Sequence, residues 1–206
     1  MIPAKEALEL LKQGNKRFVS GDLSPRAISA EARHKMAVES QSPFAIILGC
    51  SDSRVPAEFV FDQGLGDLFV IRVAGNIVAP SQIGSVEFAA EQFGVRLVVV
   101  LGHTQCGAVS ACLSEMQQPA ENQSRNLRSI VSRIQPAVEP LLGTDLANDS
   151  EQLLQLATRT NIMVSVSHLR NGSELLERLI ATEGLEVVGA EYSVETGEVD
   201  FFEKLS

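Results

Sequence analysis

Positive charge is scarce in this chain of 206 residues: 17 Lys and Arg face 26 Asp and Glu, a formal net charge of −9. Such a surface repels polyanions at long range, which argues against nucleic acid or an anionic membrane as partner and favours a small or neutral substrate. Long apolar runs are missing as well. None approaches the ~20 residues that span a bilayer. The amphipathic start MIPAKEALELLKQGNKRF lacks the charged region and apolar core of a secretion signal, so a cytoplasmic protein is expected. Cysteine is limited to Cys50, Cys106 and Cys112, an odd number in a chain that is not small. A disulfide framework is therefore not expected, and reduced thiols leave metal binding or catalysis as the question. What the chain does have is 45% hydrophobic residues, enough for one sizeable core. Residues 1–206 read as one domain, with 1–40 as an N-terminal helical arm of the kind that packs on a partner subunit.

The periodicity predicts a helix over residues 3–19, where Ala4, Ala7, Leu8, Leu11 and Phe18 share one face and Gly14 is a weak point. A second, less apolar helix is predicted over 27–39. The runs at 44–49, 67–75, 96–102 and 185–192 are short, rich in β-branched and aromatic residues and bounded by glycine or polar residues, as buried strands are. Helical patterns lie between them. This alternation predicts an α/β fold with a mostly parallel central sheet flanked by helices. SVETGEVDFF near the C-terminus carries a turn signal between two strand-like halves and predicts an antiparallel edge hairpin. The segment after residue 123 is predicted to be helical up to Pro136. NIMVSVSHL has strand-like composition, but Ile162, Val166 and Leu169 continue a helical spacing, and a helix is expected. A further helix is capped by Ser173 and stopped by Gly184.

Two segments end strands in the same way: IILGCSDSR and VVVLGHTQCG. Ligand sites in open parallel sheets form outside the carboxyl ends of the strands, so the two ends can bring Cys50, Asp52, His103 and Cys106 together. Two thiolates, an imidazole and a carboxylate are zinc chemistry, with Asp52 either completing a tetrahedron or leaving the fourth place to water. Taken singly, a cysteine after a strand is more often a small buried hydrophobe, and a histidine at a strand end is usually just hydrogen-bonded. Paired after two strands, in a chain with three histidines, they point to a metal. Asp52 and Arg54, at i and i+2 of an extended segment, can form a charge-assisted pair. Cys112 reads as packing, and His34 and His168 as surface or core residues.

CSDSR followed by GHTQCGAV resembles the paired signature of the beta-class carbonic anhydrases, and the similarity runs on through QGNKRF, DQGLGDLFVIRVAGN and VVGAEYSVETGEV. The resemblance implies four parallel strands plus an antiparallel edge strand, in a homodimer or homotetramer with the site at the subunit interface. It implies Zn2+ on Cys50, His103 and Cys106, with Asp52 as a possible fourth ligand, and Asp52 with Arg54 as catalytic dyad. Gln41 matches a glutamine of plant-like members that reaches substrate across the dimer interface. Phe69, Phe88 and Ala74 match pocket positions, and Gly107 follows the last ligand. Bicarbonate-inhibited members carry a tryptophan where this chain has Ile47; Arg72 and Tyr192 occupy the other two positions of that inhibitory site.

The implied activity is reversible hydration of carbon dioxide to bicarbonate and a proton through zinc-bound hydroxide. Two alternatives stay open: hydrolysis of carbon disulfide or carbonyl sulfide on the same ligands, and a structural zinc in a non-catalytic assembly module. A redox role for Cys50 and Cys106 is the weakest reading, because neither lies in a Cys-x-x-Cys pair.

Overall fold

The chain alternates strands and helices through the described residues, 2–24, 30–117 and 124–202 of a computed structural model. Strands β1 (Ala45–Gly49), β2 (Leu68–Arg72), β3 (Leu97–His103), β4 (Glu186–Tyr192) and β5 (Val199–Phe201) form one sheet in the order β2-β1-β3-β4-β5. The first four run parallel, and β5 pairs antiparallel with β4. β1 and β3 are buried throughout because both sheet faces are covered, which is why they read as unbroken apolar runs.

Alternate residues serve the two faces. Ile47, Val99, Leu101 and Ala190 pack against α1 (Ala4–Ser20) and α3 (Ala57–Val60). Ile46, Leu48, Val98 and Val100 pack against α4 (Pro80–Gln92), α7 (Ser150–Asn171) and α8 (Glu174–Glu183). A third cluster joins α5 (Gly107–Gln117), α6 (Arg125–Val138) and α7 around Ile77, Cys106 and Ile134. Helix α2 covers Ala30–Glu39, and the expected start of that helix at 27–29 lies outside the described residues.

The apolar face of α1 packs into the core of its own chain through Ala4, Ala7, Leu8 and Leu11. The structure corrects three expectations. β2 stops at Arg72 because Gly75 and Asn76 take φ of 70° and 44° and turn the chain into a short 3-10 segment, Ala74–Asn76. Pro136 does not end α6: burial of Ala137 and Val138 carries the helix two residues further, and the one lost N–H falls in its last turn. The hairpin expected inside SVETGEVDFF uses β4 as its first strand. Residues 193–198 form the turn, closed by Ser193 N–H donating to the Glu198 carbonyl at 2.8 Å.

Candidate metal centre

Strand order places the site. β1 connects outward to β2 on one side while β3 lies on the other, so the carboxyl ends of β1 and β3 flank the point where the sheet reverses direction. Gly49 and Leu101 are in register. Cys50 follows the first strand and His103 ends the second. A tight turn with Gln105 at φ 56° returns the chain so that Cys106 leads into α5, its carbonyl accepting from Ser110 N–H at 3.0 Å.

One ligand atom each from Cys50, His103 and Cys106 lie within 4.8 Å of one another, and all three residues are buried. The Nε2 atom of His103 has no hydrogen-bond partner, while Nδ1 lies 2.8 Å from the Thr104 carbonyl. An orphaned buried ring nitrogen is costly unless something else satisfies it. Cys50 is drawn down to about 4 by the hydrogen bond with Cys106, against burial that pushes it up; Cys106 is pushed up by the same contact. Cys50 Sγ also accepts from Gly75 N–H at 3.4 Å. For His103, burial alone would lower the pKa, but the contact with Cys50 raises it overall. Gly75 itself is required. Besides its positive φ, an added Cβ would meet Ile134 Cδ1 at 2.8 Å and Ala108 Cβ at 3.1 Å.

Asp52 stands at the edge of this group, its Oδ2 3.9 Å from His103 Nε2. Arg54 holds it in a fork: Nε donates to Oδ1 at 2.9 Å, Nη2 to Oδ2 at 2.8 Å, and the Arg54 backbone N–H to Oδ1 at 2.9 Å. These bonds keep the Asp52 carboxyl well below the usual carboxylate range. Arg72 braces the loop from the next strand, donating to the carbonyls of Cys50 at 3.0 Å and Asp52 at 2.7 Å.

The family profile described as carbonic anhydrase matches residues 45–199. Carbonic anhydrase 2 of Mycobacterium tuberculosis is 38% identical over 192 residues, covering 93% of this chain and 89% of its own. The solved beta-carbonic anhydrase CcaA is 25% identical with a TM-score of 0.73, covering 98% of this chain and 93% of that one. The chain belongs to the beta-class carbonic anhydrases. A tetrameric beta-carbonic anhydrase of Sordaria macrospora, 24% identical, shares the fold at a TM-score of 0.73 over 85% of this chain and 92% of its own.

The other positions singled out in the carbonic anhydrase sequence are dispersed. Ala74 adjoins Gly75 beside Cys50, and Gly107 opens α5 next to Cys106. Gln41 is exposed before the first residue of β1, at the opposite end of that strand from Cys50. Phe69 pairs with Ile46, about 13 Å along the strand from the level of Cys50. It stacks with Phe88 and Phe93 at the β2 edge, centroids 6.2 and 6.1 Å away, and Phe88 is 52% exposed. Arg72 is occupied with the loop carbonyls, and Tyr192 is buried against Phe18. Cys112 is buried with Sγ 3.6 Å from the Val131 carbonyl, as a packing residue should be, and His34 and His168 are exposed. The sequence reading overlooked Arg72 as a loop brace and Gln105 as the turn residue. The left-handed conformation of Gln105 has no compositional signal, since only glycine or asparagine would have announced it.

Proposed function

We propose that Cys50, His103 and Cys106 hold a zinc ion and that Asp52, fixed by Arg54, orients the attacking oxygen in carbon dioxide hydration by accepting its hydrogen bond. The observation that carries this reading is the buried Cys-His-Cys group beside an aspartate already committed to an arginine. The donor set fits zinc. Two sulfurs and one imidazole suit a borderline-soft ion, and Nε2 of His103 has no hydrogen-bond partner. Zinc so held supplies a water acidified to a pKa near ~7, the nucleophile that neutral carbon dioxide requires.

The rest is the work of the chain. Arg54 keeps Asp52 ionised, so at Oδ2 the carboxylate accepts a hydrogen bond and cannot donate one. With Oδ1 taking two N–H groups and Oδ2 one, a lone pair on Oδ2 stays free toward the metal position. Gly107 N–H, at the positive end of α5, suits an oxygen that gains charge. Gln41, exposed at the far end of β1 from Cys50, serves the site of a second copy of the chain, so the pocket for carbon dioxide and bicarbonate, with Phe69 and Phe88 as further lining, is completed in a homodimer or homotetramer. The described residues include no helix long and apolar enough to cross a membrane.

A purely structural zinc, with Asp52 as fourth ligand, has no use for the Arg54 fork. Replacing Arg54 by Ala tests the choice. Turnover should fall by about 10- to 100-fold with zinc retained, the scale of removing a partner that orients a site group. Unchanged turnover in Arg54→Ala would refute the dyad. Parallel assays on carbon disulfide and carbonyl sulfide should give no comparable rate.

A further inference from the structure

Glu195, in the turn between β4 and β5, is an exposed carboxylate with three protein donors. Its Oε2 accepts from Thr104 Oγ1 at 2.8 Å and Ser193 Oγ at 3.1 Å, and its Oε1 accepts from Gln105 Nε2 at 2.5 Å. Thr104 and Gln105 are the two residues between His103 and Cys106. Each leads inward. The Thr104 carbonyl lies 2.8 Å from Nδ1 of His103. The Gln105 carbonyl accepts from Arg54 Nη2 at 3.3 Å and its side-chain oxygen from Nη1 at 3.5 Å. Arg54 in turn forks onto Asp52.

The brace is itself held. Asn15 of α1 donates to the Gly197 carbonyl at 2.8 Å and accepts from Val199 N–H at 2.9 Å, and Val194 N–H donates to Thr104 Oγ1 at 3.1 Å. Gln105 sits at φ 56°, where non-glycine residues seldom stay without outside support. The described contacts of its side-chain nitrogen run to Glu195.

We propose that Glu195 is a positioning residue of this carbonic anhydrase: by holding Gln105 in its left-handed turn it keeps Arg54 seated against Asp52, and so keeps Asp52 off the metal position. The inference rests on the reading of Asp52 and Arg54 given above. Without Glu195 the Gln105 amide loses its acceptor, its carbonyl is free to swing from Arg54, and Asp52, with a looser partner, turns toward the metal. The effect should appear in whatever competes for the fourth metal position, separately from turnover.

The test compares Glu195→Ala, Glu195→Gln, Glu198→Gln and Arg54→Ala in zinc- and cobalt-loaded protein. Azide binding to the cobalt form is followed by its visible absorption, and carbon dioxide hydration is measured on the zinc form. Glu195→Ala should retain one metal per chain, lose about tenfold in kcat with KM little changed, and bind azide about tenfold more weakly. Glu195→Gln, whose amide oxygen can serve only one of its two inward donors fully, should fall between. Glu198→Gln removes the same charge from the same turn and should match the parent in both assays. Adding Glu195→Ala to Arg54→Ala should cost nothing further, since both act through one chain of bonds. If Glu195→Ala keeps kcat and azide affinity within twofold while Arg54→Ala loses both, the role of Glu195 is overturned and the dyad stands. If Arg54→Ala is also unchanged, the dyad itself fails.

Discussion

Replacing Gly14 by Ala should destabilise the protein although it improves the helix. In an exposed helix the change is worth ~1 kcal/mol in favour of Ala. Here an added Cβ would stand 1.8 Å from the Phe61 carbonyl oxygen and 2.7 Å from its carbon, where real Cβ atoms essentially never come within 3.0 Å. The obstacle is main chain, not the tip of a flexible side chain, so α1 has to lift from α3. Lifting it strains the contacts of Ala7, Leu8 and Leu11, and overpacking of this kind costs ~1–3 kcal/mol or more. It also stretches the three bonds of the neighbouring Asn15, to Val60, Gly197 and Val199, each worth about 1 kcal/mol. The net loss should be about 3 kcal/mol, a fall in Tm of roughly 6–12 °C for a chain of this size. Gly84 of α4 supplies the control: it is exposed, its added Cβ meets nothing within 4 Å, and Gly84→Ala should raise Tm. Thermal unfolding of both variants decides the matter. A Gly14→Ala protein as stable as the parent would refute the packing argument.

Ser173→Ala removes the oxygen that accepts Leu176 N–H at 3.2 Å and donates to Glu87, so it should cost about 1 kcal/mol and lower Tm by about 2–4 °C; an unchanged Tm would deny the cap its role. Glu191 is buried with Oε1 unpartnered, and burial raises its pKa despite Arg159 beside it. A carboxyl raised on folding binds its proton more tightly in the folded state, so its stabilisation is full at low pH and is lost as pH rises through the folded value. Glu191→Gln should therefore raise Tm at neutral pH, by about 2–4 °C per ~1 kcal/mol gained. The gain should shrink toward zero below about pH 4, and a gain independent of pH would contradict this account of Glu191.

The strands were legible because each is a short apolar run between glycines or polar residues, and α8 because Ser173 and Gly184 mark its ends. The Cys-His-Cys group was legible because two strand ends carry the same pattern, and strand order makes those ends neighbours. Pro136 misled because local propensity counted against a helix that tertiary burial of Ala137 and Val138 sustains. The positions of Gln41, Phe69 and Phe88 could be matched by resemblance, yet their placement relative to Cys50 shows only in three dimensions. A one-dimensional pattern cannot say which copy of a chain a side chain serves. Glu195 lay beyond reach for a related reason. It meets Gln105 only because the β4–β5 turn folds over the end of β3, a contact between distant segments with no local signature.

Metal analysis and carbon dioxide hydration, measured on one sample each of the parent protein and Cys106→Ser, test whether Cys50, His103 and Cys106 hold a catalytic zinc. The parent should carry one zinc per chain and be active, and Cys106→Ser should lose both. A Cys106→Ser protein that keeps stoichiometric zinc and full turnover would contradict this assignment.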